Sequence, residues 1–203
     1  YDAATENMRL LGKIADHPEL VPIWNVLPAD TGEMPSPDEL LRRMDQHNIR
    51  AVTAMPSTNA WHPVGRSARP LWAALQESRA LVIIDPAEMH FGHIEQLLEQ
   101  FPALPVLLQN VPWGAVRAAT GVMLHYENCH LMFDLFQVNE AIEWFTRQGC
   151  EDRLLFGSNA TDRAMGPARC MVDYAQVSDA VKDKIAGGNL TRLLGGIAPP
   201  RAV

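Results

Sequence analysis

Short apolar runs, each closed by proline, glycine or a polar turn, alternate along this chain with longer segments of helical period. A chain written this way buries its apolar surface as strands and helices taking turns. The first run, Leu20–Leu27 (LVPIWNVL), ends at Pro28. After a turn-rich stretch, Ser36-Pro37-Asp38-Glu39 supplies an N-cap, a proline at the first helical position and a capping-box glutamate, so a helix is expected to start there. Its apolar positions Leu40, Leu41 and Met44 share one face, and Ile49–Met55 (IRAVTAM) reads as the next strand, ended by Pro56. Leu71–Leu75 is helical, Ala80–Ile84 (ALVII) is a strand running into Asp85-Pro86, and Ile94, Leu97, Leu98 and Phe101 form a helical stripe. Leu104–Leu108 then leads into Gln109-Asn110, Val116–Tyr126 is helical, and Cys129–Phe136 (CHLMFDLF) is the next strand. Asn139 is read as the cap of a helix over Glu140–Gln148 that stops at Gly149, and Arg153–Phe156 is the last strand, opening into Gly157-Ser158-Asn159 before helices close the chain.

Strands that are apolar on both faces belong to parallel sheets covered by helices, so six strand–helix units of an α/β protein are expected. Periodicity alone leaves a closed barrel and an open doubly wound sheet both standing. No G-x-G-x-x-G or G-x-x-x-x-G-K-[ST] follows a strand, which removes the usual phosphate cradle of the nucleotide-binding versions. The 203 residues, 47 % of them hydrophobic, suffice for one sizeable core, and a single domain over 1–203 is expected. A net charge of −7 without any cluster of Lys and Arg argues against a nucleic-acid partner. No run approaches the roughly 18 apolar residues of a membrane span, and the start YDAATENMRL lacks the basic and apolar parts of a signal peptide, so no membrane partner and a cytoplasmic location are expected. Cys129, Cys150 and Cys170 are odd in number, lack C-x-x-C spacing and read as buried free thiols.

The segment from Gly149 to Leu194, GCEDRLLFGSNATDRAMGPARCMVDYAQVSDAVKDKIAGGNLTRLL, resembles the C-terminal signature of the amidohydrolase-related family of metal-dependent hydrolases, with its strand, G-S-D ending, helix and closing g-N-a-x-r-L-l. Phe101–Trp113 (FPALPVLLQNVPW) and Ala80–Pro86 are similar to two further strands of that family, in the same order and spacing. The resemblance implies a partial (β/α)8 TIM barrel whose six units correspond to strands three to eight, with the first two strands, and the H-x-H that the first one carries, absent from the chain. It also implies hydrolysis or decarboxylation of a small polar substrate by a metal-bound water. The family's histidines after strands five and six correspond here to Asp85 and Asn110, and its aspartate after strand eight to Asn159. Amide groups take up no proton from water at neutral pH and are weak zinc ligands, so a degenerate metal site is expected: no cofactor, unless ligands preceding the chain supply a zinc site.

Asp85 is then either a repurposed base at the rim where barrel chemistry occurs or a turn residue before proline. Asn110 and Asn159 either contact a polar substrate or cap loop backbone, and Gln137 and Trp113 near strand ends join them as candidate substrate contacts. Of the histidines, His62 on the loop after the second strand and His90 after the third are candidate acids or bases. His17, His47, His93 and His125 lie in or beside helices with no partner at ligand spacing and read as solvated or packed. Ser158 lacks the G-x-S-x-G elbow of a serine hydrolase. A barrel that kept its pocket and lost catalysis, binding a carbohydrate or carboxylate, is the other reading, and either is compatible with a homo-oligomer.

Overall fold

The computed structural model describes residues 2–195. Six strands, β1 (Ile23–Val26), β2 (Ala51–Ala54), β3 (Leu81–Ile84), β4 (Val106–Leu108), β5 (Cys129–Phe133) and β6 (Leu154–Phe156), form one sheet in chain order. Every pairing is parallel. Helices α2 (Pro37–Gln46), α3 (Arg69–Ser78), α4 (Phe91–Gln100), α5 (Val116–His125) and α6 (Ala141–Arg147) each cross over between successive strands, as parallel neighbours require. An additional helix, α1 (Ala3–Lys13), precedes β1, and α7 (Gly166–Asp173), α8 (Asp179–Asp183) and α9 (Asn189–Gly195) follow β6.

The expected capping chemistry is present at α2, where the Ser36 side chain accepts from the Glu39 amide and Pro37 occupies the first turn. The expected cap at α6 is not. Glu140 takes the N-cap position in the left-handed region (φ 53°) with no side-chain cap bond, which moves the helix start past Asn139. Strand β5 stops at Phe133 rather than at Phe136, because the Asp134 carboxylate accepts the Leu135 amide (2.6 Å) and turns the chain out of the ladder. Helix α1 was not marked by a periodic apolar stripe. What fixes it is Asn7, whose side-chain amide donates to the Asn25 carbonyl (2.8 Å) and accepts from the Asn25 N–H (2.9 Å), filling backbone positions on β1 that no strand occupies.

The strands divide their side chains between two apolar clusters by simple alternation. Val52, Ala54, Val82, Ile84, Val106, Leu108, Cys129, Leu131 and Phe133 join the large core beneath the helices. Ala51, Leu81, Ile83, Leu107 and Leu155 form a smaller cluster on the opposite, inner face, with Met132 and with Leu193 and Leu194 of α9 packed against it. By the same alternation His130, Met132 and Asp134 of the β5 segment share that inner face. Gly157 is small for a reason found there: a Cβ at this position would overlap Met132 Sδ and Cγ and approach the Asp134 Cβ to 3.2 Å. Of the three cysteines, Cys129 and Cys150 are buried as expected, while Cys170 is exposed on α7, where the helix turns it away from the core.

Candidate functional site

Four adjacent strand ends bring polar side chains to one mouth. Asp85 directly follows β3, Asn110 follows β4 by two residues, Asp134 directly follows β5, and Asn159 follows β6 by three. The Asn110 Nδ2 donates to Asp85 Oδ2 (2.9 Å), and the Asn159 Nδ2 donates to Asn110 Oδ1 (2.8 Å). The direction of this chain is dictated by its acidic end: a carboxylate only accepts, so Asn110 must turn its amide nitrogen to Asp85 and its oxygen to Asn159. Both asparagines have positive φ, 53° at Asn110 and 49° at Asn159, a conformation that asparagine tolerates better than most residues.

Asp85 starts the turn that one reading of its sequence position expected, and it also joins the run of amides. Its Oδ1 accepts the Ala87 amide (2.8 Å), an Asx turn that starts the loop, and its Oδ2 enters the amide chain. Behind it, Asp134 is only 4 % exposed and holds the Asn110 amide (2.9 and 3.1 Å to its two oxygens) together with that of Leu135. Burial pushes the Asp134 carboxyl above the usual carboxylate range, against the pull of those two amides, and the nearby Asp85 adds to the rise. Asp134 falls near the end of the expected strand Cys129–Phe136, and the sequence gives it no place in the site. It supports the Asn110 backbone, and its position on the inner-face alternation of β5 was the available signal.

Asp85, Asn110 and Asn159 line a cavity of 720 Å³ together with His90, Asp162 and Arg163. That size is in the range of small-molecule sites. Trp113 is not among the lining residues; it stands 77 % exposed on the turn before α5. Gln137 is exposed too, its Nε2 3.4 Å from the Asp134 carbonyl. His62 lies in an adjoining cavity of 520 Å³ with His90 and His93. There His90 and His93 stack with ring centroids 3.8 Å apart, and His93 is 5.2 Å from His62. Burial, and then the charges of His90 and His62, hold the His93 imidazolium below its ordinary pKa. His93, set aside on spacing alone, is therefore the centre of a histidine cluster that joins the two cavities through His90. Glu88, which follows Asp85 closely, does not join it at the mouth. Its carboxylate accepts from the Thr58 amide (2.8 Å) and hydroxyl (2.5 Å) and ties the loop after β2 to the loop after β3.

Asp85, Asn110 and Asn159 together offer one carboxylate and two amide oxygens, a weak ligand set for a transition metal. Asp85 offers one carboxylate with both oxygens already accepting hydrogen bonds, and the Asn110 oxygen is taken by Asn159. Among the described residues no group of three or more His, Cys, Asp or Glu side chains has an arrangement that could hold a metal ion. Among the described residues no helix is long and apolar enough to cross a membrane.

Residues 2–196 match the family model described as amidohydrolase. Among curated proteins none matches the chain. Among solved structures, an uncharacterised TIM-barrel protein of Bordetella bronchiseptica superposes with a TM-score of 0.76 at 21 % identity, covering 94 % of this chain and 72 % of that one. The 5-carboxyvanillate decarboxylase of Sphingomonas paucimobilis superposes with a TM-score of 0.69 at 15 % identity, over 96 % of this chain and 75 % of its own. A dihydroxybenzoic acid decarboxylase of Polaromonas, solved with bound manganese and the inhibitor 2-nitroresorcinol, gives a TM-score of 0.64 at 16 % identity, over 95 % and 74 %. At these identities the likeness is one of fold, and it makes the six-stranded sheet a partial TIM barrel.

Proposed function

Because the chain belongs to the amidohydrolase family, we propose that it acts on a small polar substrate at the mouth formed by Asp85, Asn110 and Asn159, by hydrolysis or decarboxylation, without a metal held by these three residues. The observation that carries this reading is the hydrogen-bonded run from Asp85 through Asn110 to Asn159 along the 720 Å³ cavity, at the strand C-terminal ends where barrel enzymes work. Asp85 is the proton acceptor: a carboxylate has about four lone-pair positions, and two remain after the Ala87 and Asn110 bonds. In hydrolysis it takes the proton of the attacking water, and His90, which lines the same cavity, protonates the leaving group. His62 acts only through His93 and His90, because it lines the adjoining cavity rather than this one. Asn110 and Asn159 orient the substrate, and Arg163 on the cavity wall favours one with a carboxylate. That preference agrees with the aromatic acids processed by the decarboxylases of the same fold.

The family's metal would polarise the substrate or activate water if it were bound. The amides at Asn110 and Asn159 do not replace it as ligands, and the proton chemistry is assigned to Asp85 and His90 alone. A second reading, a barrel that binds without turnover, is favoured by one observation: both Asp85 oxygens and the Asn110 amide are already engaged with each other and with the loop backbone.

A panel of hydroxybenzoates and small amides, followed in parallel by product formation and by thermal shift, tests the proposal. Turnover that Asp85→Asn abolishes while the melting temperature holds supports it. Stabilisation by a ligand with no turnover establishes the binding reading, and turnover that survives Asp85→Asn removes Asp85 from the chemistry.

A further inference from the structure

The opposite end of the sheet carries a second concavity that the proposed reaction does not use. A cavity of 410 Å³ opens beside the N-terminal ends of β4 and β5, with Arg79, Pro105, Glu127, His130 and Arg192 in its lining. Its back wall is unusual in composition. His130, the second residue of β5, pairs in register with Leu107 on the inner face and is 5 % exposed, an imidazole set among aliphatic side chains. Its Nδ1 is buried without a hydrogen-bond partner. An unpartnered lone pair is cheaper to bury than an unpartnered N–H, so the ring proton belongs on Nε2, the nitrogen that is not closed off, and the ring faces the cavity as a donor.

Two arginines share the cavity lining with it. Arg192 is fixed by bonds from its Nη2 to the Asp152 carbonyl and to Asn189 Oδ1, which leaves its other N–H groups for the cavity. Arg79 is exposed at the left-handed end of α3 (φ 57°). The remaining polar groups nearby are already occupied: the Asn128 amide donates to the Phe101 and Leu104 carbonyls, both at 3.1 Å, and Arg153 to the carbonyls of Met123, Tyr126 and Cys129. Against these cations the lining holds one carboxylate, the exposed Glu127. We propose that this cavity binds a small oxyanion, a phosphate or carboxylate group, held by Arg192 and Arg79 and taking a hydrogen bond from His130 Nε2.

The electrostatics agree. Burial, followed by the charges of Arg192 and Arg153, lowers the His130 pKa to about 4, so the imidazole is neutral near physiological pH, and in the lining two guanidinium groups face a single carboxylate. An anion would balance the second. This site lies on the far side of the inner apolar cluster from Asp85 and does not depend on what happens there.

Calorimetric titration of the chain with inorganic phosphate near neutral pH, at constant ionic strength set by chloride, provides the test. A single saturable site is expected, with the His130 imidazole nitrogen resonances shifting on binding. Arg192→Gln and Arg79→Gln are each expected to weaken the affinity by about tenfold or more, the value of one charge-assisted contact, while Asp85→Asn leaves it unchanged. A free carboxylate in place of phosphate distinguishes the two sources of oxyanion. Should Arg192→Gln fail to fold through loss of its Asp152 contact, Arg79→Gln decides alone, since that side chain is exposed. No saturable binding, or an affinity unaltered by the arginine variants, overturns the proposal.

Discussion

Replacing Asp134 tests whether the mouth is held from behind. In Asp134→Ala the Asn110 and Leu135 amides both lose their acceptor, in a place where Asp134 itself is only 4 % exposed. An unsatisfied buried donor costs about 1–3 kcal/mol, and relief from burying the carboxylate offsets part of it, so a net loss of roughly 2–4 kcal/mol is expected. In Asp134→Asn the side-chain oxygen can still accept from Leu135 and Asn110, and the loss should stay near 1 kcal/mol, within the range of one neutral hydrogen bond. Urea unfolding at neutral pH measures both, and the melting temperature should follow at about 2–4 °C per kcal/mol for a chain of this size. The pH dependence gives an independent reading. The Asp134 pKa is raised in the folded state, so the fold binds this proton more tightly than the unfolded chain does. Its contribution is then fully present below the ordinary carboxylate pKa and declines as pH rises through the raised value. Asp134→Asn should flatten that part of the stability profile. Equal losses in the alanine and asparagine variants, or a loss under about 0.5 kcal/mol in the alanine variant, would refute the claim that the carboxylate acts by holding these two amides.

Two further predictions come from packing. Gly157→Ala drives a methyl group into Met132 on the inner face and should destabilise by about 1–3 kcal/mol, as overpacking does; restoration by the double variant Gly157→Ala with Met132→Ala would identify the clash, and an unaffected single variant would dismiss it. Native protein treated with a thiol reagent should release one rapid equivalent, from exposed Cys170, with the other two appearing only on denaturation. Burial, which raises the Cys129 thiol pKa to about 12, accounts for its inertness, and a second rapid equivalent would contradict the packing around Cys129 or Cys150.

The strand–helix order was readable because buried parallel strands are continuous apolar runs, and LVII, VLL and CHLMF stand out from the amphipathic segments between them. The inner and outer faces were less readable, since both are apolar and alternation carries no polarity contrast. That is why His130 gave no signal: a single imidazole in an apolar strand has no partner at a diagnostic spacing, and only its register against Leu107 locates it. The three rim residues Asp85, Asn110 and Asn159 were found through the resemblance, and the structure brings them into one hydrogen-bonded run. Trp113 and Gln137 were named for their place near strand ends, and both are exposed and outside the lining of the mouth. His93, read as solvated or packed, is packed: it stacks on His90. Spacing along a helix gave it no partner, but His62 arrives from another loop.

Each ladder of the sheet joins strands that are consecutive in the chain, from β1 with β2 through β5 with β6. During synthesis, each of β2 to β6 therefore meets a partner that has already left the ribosome, so these five ladders can assemble in the direction of translation.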